Sequence, residues 1–197
     1  HGMQLEALSR HVSPADFDSF DDWRTATQRY QAEVLRHYIE TLRRLKYRPT
    51  GGFCFNSLND PSPAVSWGVL DHERRPKLAY QAVTEACRPV IVVAERMRPN
   101  LVAGEAIALD VHVISDLRVP LDEVLCTGKL RWPGGGHEWQ WSGSVPPDSC
   151  VRVGTVQFVV PSVPGALWFD LTLQHADAAA TNRYAANVTD GAAVHAN

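Results

Sequence analysis

Between about Asp22 and Lys46, apolar side chains recur at three- and four-residue intervals, at Tyr30, Val34, Leu35, Tyr38, Ile39, Leu42 and Leu45. That spacing lines one face of an amphipathic helix and predicts a helix over 22–46. Asp21 or Asp22 is placed to cap its N-terminus, and Arg43, Arg44, Lys46 and Arg48 suit the negative end of its dipole. Pro49-Thr50-Gly51-Gly52 then breaks the helix, and the apolar run Phe53 to Leu58 predicts a short buried strand. The next five residues, Asn59-Asp60-Pro61-Ser62-Pro63, cannot continue a ladder because two prolines remove backbone donors. They read as a functional loop at the C-terminal end of that strand. After Ser66 to Asp71 and the polar turn His72-Glu73-Arg74-Arg75, Pro76 is expected to open a second helix at its first position. Leu78, Ala79, Ala82, Val83 and Ala86 form its apolar face.

From Pro89 onward the period changes to two. Strand-like runs cover Val90–Val93, Ile107–Ile114, Val124–Trp132, His137–Trp141, Val151–Val160, Ala166–Gln174 and Thr181–Val188, about seven strands in all. Pro99-Asn100, Pro133 to Gly136, Pro146-Pro147-Asp148 and Pro161 to Gly165 separate them at the spacing of a β-sandwich. The expected fold is therefore α+β overall, with residues 89–197 an all-β immunoglobulin-like sandwich. Residues 1–88 pose a different problem, because a helix, a strand and a helix have no sheet partner to cover their apolar faces. They read as the tail of a larger α/β unit.

Composition narrows the function. With 197 residues, 45% hydrophobic and 21% charged, the chain is ordinary globular material and not disordered. A net charge of −3 argues against nucleic acid or an anionic membrane as partner. Residues 1–99 hold 14 basic and 12 acidic side chains against 5 and 10 in residues 100–197, which marks two regions of different character. No uncharged apolar run approaches the roughly 18 to 20 residues of a membrane span. The absence of a signal-like start favours the cytoplasm, and His1-Gly2-Met3 reads as the scar of an expression tag, left out of the fold reasoning.

Candidate chemistry is sparse. Cys54, Cys87, Cys126 and Cys150 have no C-x-x-C spacing and read as mostly buried free thiols, although a Cys126–Cys150 bridge is open on spacing alone. The scattered histidines offer no zinc-ligand pair, and the stretch Asp16, Asp18, Asp21, Asp22 lacks the Gly and Glu of a calcium loop. Gly134-Gly135-Gly136 lacks the Lys and helix of a phosphate cradle, so no metal and no cofactor are expected. Asp60 and Asp71 are weak candidates for an acid/base pair, read instead as a loop acceptor and a turn starter. Trp139 and Trp141 share one face of a strand, where an exposed pair would suit sugar stacking and a packed pair the core.

The residues Gly52 to Pro63, Ser66-Trp67, Val69-Leu70-Asp71, Arg75-Pro76-Lys77 and Tyr80 resemble the end of the catalytic barrel of glycoside hydrolase family two, in its β-mannosidase and exo-glucosaminidase branch. The pattern is strongest in Leu58-Asn59-Asp60, Ser66-Trp67 and Pro76-Lys77, and it covers about a third of the chain. The resemblance implies that residues 1–88 are the C-terminal end of a (β/α)8 barrel, with the orphan strand as its eighth, and that residues 89–197 are the sandwich that follows it. Barrel enzymes keep their chemistry at the C-terminal ends of the strands, which would place Asn56, Asn59 and Asp60 near a sugar subsite and Trp67 on its rim. The sequence departs from the family at Asn56, where a Trp is usual, and at Ser62, where another aromatic is usual; Asn and Ser supply no stacking area.

The same resemblance implies that the two catalytic carboxylates of a retaining exo-glycosidase lie upstream of this chain. The expected partner is then a carbohydrate substrate of the full-length protein, and the chain alone is expected to be inactive and to self-associate through the exposed apolar faces of residues 1–88. The alternative is a non-catalytic β-sandwich module that binds carbohydrate or protein, of which an exposed Trp139 and Trp141 would be the mark.

Overall fold

The computed structural model describes residues 5–63 and 66–189, so the proposed tag scar His1-Gly2-Met3 lies outside the described residues. The chain is α+β with strand predominating, and divides into two compact units, His1–Leu42 with Tyr47–Arg88 and Arg43–Lys46 with Pro89–Asn197. Among the described residues no helix is long and apolar enough to cross a membrane.

The first unit is built from helices α1 (Leu5–Ser9), α2 (Phe20–Arg44) and α3 (Leu78–Ala86). Helix α2 starts ahead of the apolar periodicity because Ser19, not Asp21 or Asp22, caps it. The Ser19 Oγ accepts from the Asp22 amide at 3.1 Å, the hydrogen bond of an N-cap, and donates to the Asp22 carboxylate at 2.6 Å. Helix α3 opens later than expected. Pro76 lies before it in a bridge to Leu70, and Lys77 is the N-cap in extended conformation, its side chain committed elsewhere. Ile39 of α2 packs with Val69 and with Ala79, Val83 and Ala86 of α3, flanked by Leu35 and Phe55. The expected apolar face is narrower than the sequence suggested, since Tyr38, Leu45 and Leu78 are exposed.

The strand expected at Phe53–Leu58 is absent. A strand exists only where a neighbouring backbone completes its ladder, and among the described residues this stretch is met only at its end, where the Ser57 and Leu58 carbonyls accept from Val69 and Leu70 beside the parallel bridge Asn59 to Leu70. Phe53 and Leu58 are exposed, and the Asn56–Ser57 peptide bond is cis.

Among the described residues, the second unit has eight strands: β1 (Val90–Ala94), β2 (Asn100–Val102), β3 (Ala106–Ser115), β4 (Leu121–Trp132), β5 (Gly135–Val145), β6 (Ser149–Val159), β7 (Gly165–His175) and β8 (Ala178–Thr189). They form a three-stranded sheet, β1-β3-β6, and a five-stranded sheet, β2-β8-β7-β4-β5. The extra strand is β2, which pairs parallel to β8 where the sequence reading placed a separator at Asn100. Three residues are too short to show a period.

Alternation accounts for the core. On β7, Leu167, Phe169, Leu171 and Leu173 point inward to meet Val111 and Val113 of β3 and Val156 of β6 in one buried cluster. Phe169 is fully buried, with the Trp139 ring edge-on at 6.4 Å and the Tyr184 ring stacked at 6.4 Å. Cys126 lies in this core, where burial pushes its thiol up to about 11. All four thiols are free, but Cys54 and Cys87 are exposed, contrary to the expectation that most would be buried.

Arg43 to Lys46 are engaged by carboxylates of the second unit. Arg43 pairs with Asp116 at 2.7 Å, Arg44 with Glu95 at 3.2 Å, and Lys46 with both Asp116 and Asp148 at 2.6 Å. Burial alone would lower the Lys46 ammonium, yet the hydrogen bonds and charges of the two aspartates outweigh it and hold the group above its ordinary value.

Truncating the aromatic at the centre of the sandwich tests this packing. Phe169→Ala is expected to destabilise the second unit by about 3–5 kcal/mol, read from the loss of near-UV circular dichroism in a denaturant titration.

Candidate functional site

The residues that carry the sequence motif are stitched together without regular secondary structure. The Asp60 amide donates to the Leu70 carbonyl at 3.1 Å, the Leu70 amide to the Leu58 carbonyl at 2.8 Å, and the Lys77 amide to the Val69 carbonyl at 2.9 Å. Three stretches far apart in sequence, around residues 58–60, 66–70 and 76–77, are thereby brought side by side.

At their junction sits the Asp60 carboxylate, only 3% exposed. One of its oxygens, Oδ2, pairs with Lys77 Nζ at 2.6 Å, and the other, Oδ1, accepts from the Ser66 hydroxyl. The Gly68 amide donates to Ser66 Oγ at 3.1 Å and also faces the carboxylate. Burial would raise the Asp60 pKa, but the hydrogen bonds from Lys77 and Ser66 and the lysine charge outweigh it and hold the carboxyl below its ordinary value. Gly68 is required here by close approach. A Cβ at this position would stand 2.2 Å from Asp60 Oδ1 and 2.9 Å from its backbone nitrogen.

The four sequence-derived site residues thus divide. Asn59 and Trp67 flank the junction with exposed side chains, Trp67 at 60%. The Trp67 carbonyl is held by Gln31 Nε2 at 2.9 Å, so the backbone is fixed while the indole remains free. Asn56 is exposed on the approach to the junction. Asp60, read from the sequence as a substrate contact, has both oxygens turned inward and engaged. Lys77 and Ser66, its partners, belonged to the motif without an assigned role. The pairing was detectable only as an acid and a lysine within one pattern, because 16 residues separate them with no repeat to relate one to the other.

Asp71 starts the turn the sequence suggested, its Oδ1 accepting from the amides of Glu73 and Arg75 at 2.8 Å each. Those backbone hydrogen bonds, from Arg75 first and Glu73 after it, lower its pKa against a smaller effect of burial. A general acid is favoured by a raised pKa, whereas Asp60 and Asp71 are both shifted down and engaged by neighbouring donors, as the loop acceptor and turn starter expected of them. Among the described residues no group of three or more His, Cys, Asp or Glu side chains is placed to hold a metal ion.

Trp132, Trp139 and Trp141 are half-buried against the sandwich core. The Trp141 indole lies over Gly154, where a Cβ would be 1.8 Å from its Nε1. The exposed Trp139 and Trp141 pair that would mark a free-standing sugar-binding module is not formed.

With fold and site described, the chain is similar in fold and in sequence to glycoside hydrolases. Its overall fold matches the exo-chitosanase of Amycolatopsis orientalis with a TM-score of 0.67 at 19% identity, over 91% of this chain and 21% of that one. A β-D-mannosidase from Dictyoglomus thermophilum matches with a TM-score of 0.64 at 20% identity, again over 91% of this chain and 21% of the other. In sequence, the chain is similar to β-mannosidases. It is 39% identical over 72 residues to β-mannosidase B of Aspergillus niger, covering 36% of this chain and 8% of that protein. It is 30% identical over 123 residues to β-mannosidase A of Aspergillus niger, covering 60% of this chain and 13% of that protein. The matched region is therefore 8% to 13% of the length of these curated relatives. No protein-family model matches the chain.

Two substitutions probe the junction. Asp60→Asn is expected to destabilise the first unit at neutral pH. Because the folded carboxyl has the lower pKa, its stabilisation is fully present above the ordinary value of about 3.9 and is lost as pH falls through the lowered one. The wild type and Asp60→Asn should therefore differ in thermal melts at pH 7 and converge in acid. Gly68→Ala is expected to open the same junction through its clash with the carboxylate, detected as faster proteolysis of residues 58–77 than in the wild type.

Proposed function

We propose that the chain is the C-terminal part of a retaining exo-glycosidase resembling β-mannosidases. In this reading residues 1–88 supply the last strand position and closing helix of its (β/α)8 barrel, and residues 89–197 an immunoglobulin-like sandwich. The observation that carries the reading is the 39% identity over 72 residues to a β-mannosidase. It is supported by the junction in which Asp60, Ser66 and Lys77 interlock, since these belong to the residues through which the sequence resembles the barrel end.

Within that reading Asn56, Asn59 and Trp67 face the sugar. Trp67 offers an exposed indole on a fixed backbone, and Asn59 a short amide able to donate and accept. Asp60 acts through the loop it holds, as the anchor that sets where Asn59 and Trp67 stand. Retaining hydrolysis needs two carboxylates about 5–5.5 Å apart, one as nucleophile and one as acid/base. In this proposal both belong to the parent protein outside these 197 residues, and the carbohydrate is a substrate of the parent.

The test begins with the native gene product, isolated from its source with an antibody to this chain. Its intact mass is expected to be several times 21.8 kDa, and it is expected to hydrolyse p-nitrophenyl β-D-mannoside with retention, while the 197-residue chain alone has no activity. In the parent, Trp67→Ala should raise KM by roughly tenfold. A long native product inactive on every aryl glycoside, or hydrolysis by the short chain, would overturn the proposal.

A further inference from the structure

The outer face of the five-stranded sheet carries a partly exposed aromatic. Trp168 stands on β7, between β4 and β8 and away from either sheet edge, yet it is 39% exposed. Its neighbours across the strands are Arg131 on β4 and Ala185 on β8. The alanine leaves that side of the indole open. A large exposed aromatic in the middle of a sheet exposes apolar area that the fold does not need.

Two residues along the same face, Asp170 lies opposite Arg183. The Asp170 side chain is 17% exposed and takes both Arg131 and Arg183. Arg183 binds it through Nε, and among the described residues its two terminal nitrogens make no hydrogen bond to the protein. Asp170 therefore fixes the guanidinium plane and leaves its fork presented, the geometry that receives a carboxylate with two parallel hydrogen bonds. Desolvation would raise the Asp170 pKa, but the two arginines outweigh it and keep the group ionised.

Charge selects the ligand. Two guanidinium groups share one carboxylate here, while the neighbouring Lys129 is already paired with Glu138. One positive charge is left over beside the indole, in the half of the chain that carries 5 basic and 10 acidic side chains. The diagonal between Trp168 and Arg183 on adjacent strands is about 7–8 Å, a span that suits a single sugar ring and its carboxyl substituent.

We propose that this face, at Trp168, Asp170 and Arg183, binds an acidic saccharide. One pyranose ring stacks on Trp168 and its carboxylate is received by Arg183, with Asp170 as the residue that orients the arginine. The site lies wholly in the second unit and does not depend on the glycosidase reading, so its failure would leave that reading untouched.

The test titrates the 197-residue chain with β-1,4-linked mannuronate tetramer and with β-1,4-mannotetraose, which differ only in the C6 carboxylates, followed by tryptophan fluorescence and calorimetry. The acidic oligomer is expected to bind saturably, about tenfold or more tighter than the neutral one, and more weakly as salt rises. Trp168→Ala should abolish saturable binding, and Arg183→Gln should bring the acidic oligomer to within about twofold of the neutral one. Circular dichroism melts check that each variant folds, and the exposed Arg183 keeps the test decisive if Trp168→Ala does not. Equal affinity for the two oligomers, binding unaffected by either substitution, no saturable binding, or full displacement by inorganic sulfate at matched ionic strength would overturn the proposal.

Discussion

One carboxylate, buried where little else orders the chain, sets the shape of the candidate site. Among the described residues between Gly52 and Lys77 there is no strand ladder, only isolated bridges and scattered backbone hydrogen bonds, so position has to come largely from side chains. An ion withdrawn from water incurs a cost of several kcal/mol unless other groups replace its hydration. Asp60 meets that condition only when the Lys77 ammonium, the Ser66 hydroxyl and the Gly68 amide converge on it at once. The requirement works in both directions, since satisfying the carboxylate fixes three separate stretches of chain. Asn59 and Trp67 inherit their positions from that solution.

The sandwich is ordered by a different rule. Its strands need no buried charge, because period-two patterning sends one set of side chains into a common core and the other outward. Polar groups on the outward set are then free to take on chemistry. The Asp170 carboxylate illustrates this, bridging β4 and β8 from β7 without any demand from the fold.

What could be read from the sequence follows the same division. The long period of α2 and the alternation of β3 to β8 are repetitive signals, and each falls on an observed element, although β5 (Gly135–Val145) extends well beyond the expected His137–Trp141 and takes in Gly135 and Gly136 of the expected separator. The motif around Leu58-Asn59-Asp60, Ser66-Trp67 and Pro76-Lys77 pointed to β-mannosidases, and the similarity in sequence and fold bears that out. Local signals failed where their meaning depends on a distant partner. Phe53 to Leu58 is apolar enough for a strand, but among the described residues a neighbouring backbone meets only its last two residues, through Val69 and Leu70. Pro76 suits the first position of a helix, yet its bridge to Leu70 and the commitment of Lys77 to Asp60 delay α3. Trp139 and Trp141 drew attention as a pair, whereas on the described sandwich the exposed indole belongs to Trp168, a solitary residue whose orientation follows the register of β7.

The Lys46 contacts bear on how this region is inherited and handled. A protein engineer dividing the chain by its linear order would cut after α3, at Pro89, and expect an autonomous sandwich. That cut discards Arg43, Arg44 and Lys46 and strands Asp116, Asp148 and Glu95 without their cations. The sandwich is a discontinuous object, completed by four residues borrowed from the end of a helix. Shuffled into another protein without that tetrapeptide, it would arrive as an anionic scaffold with its counter-charges left behind.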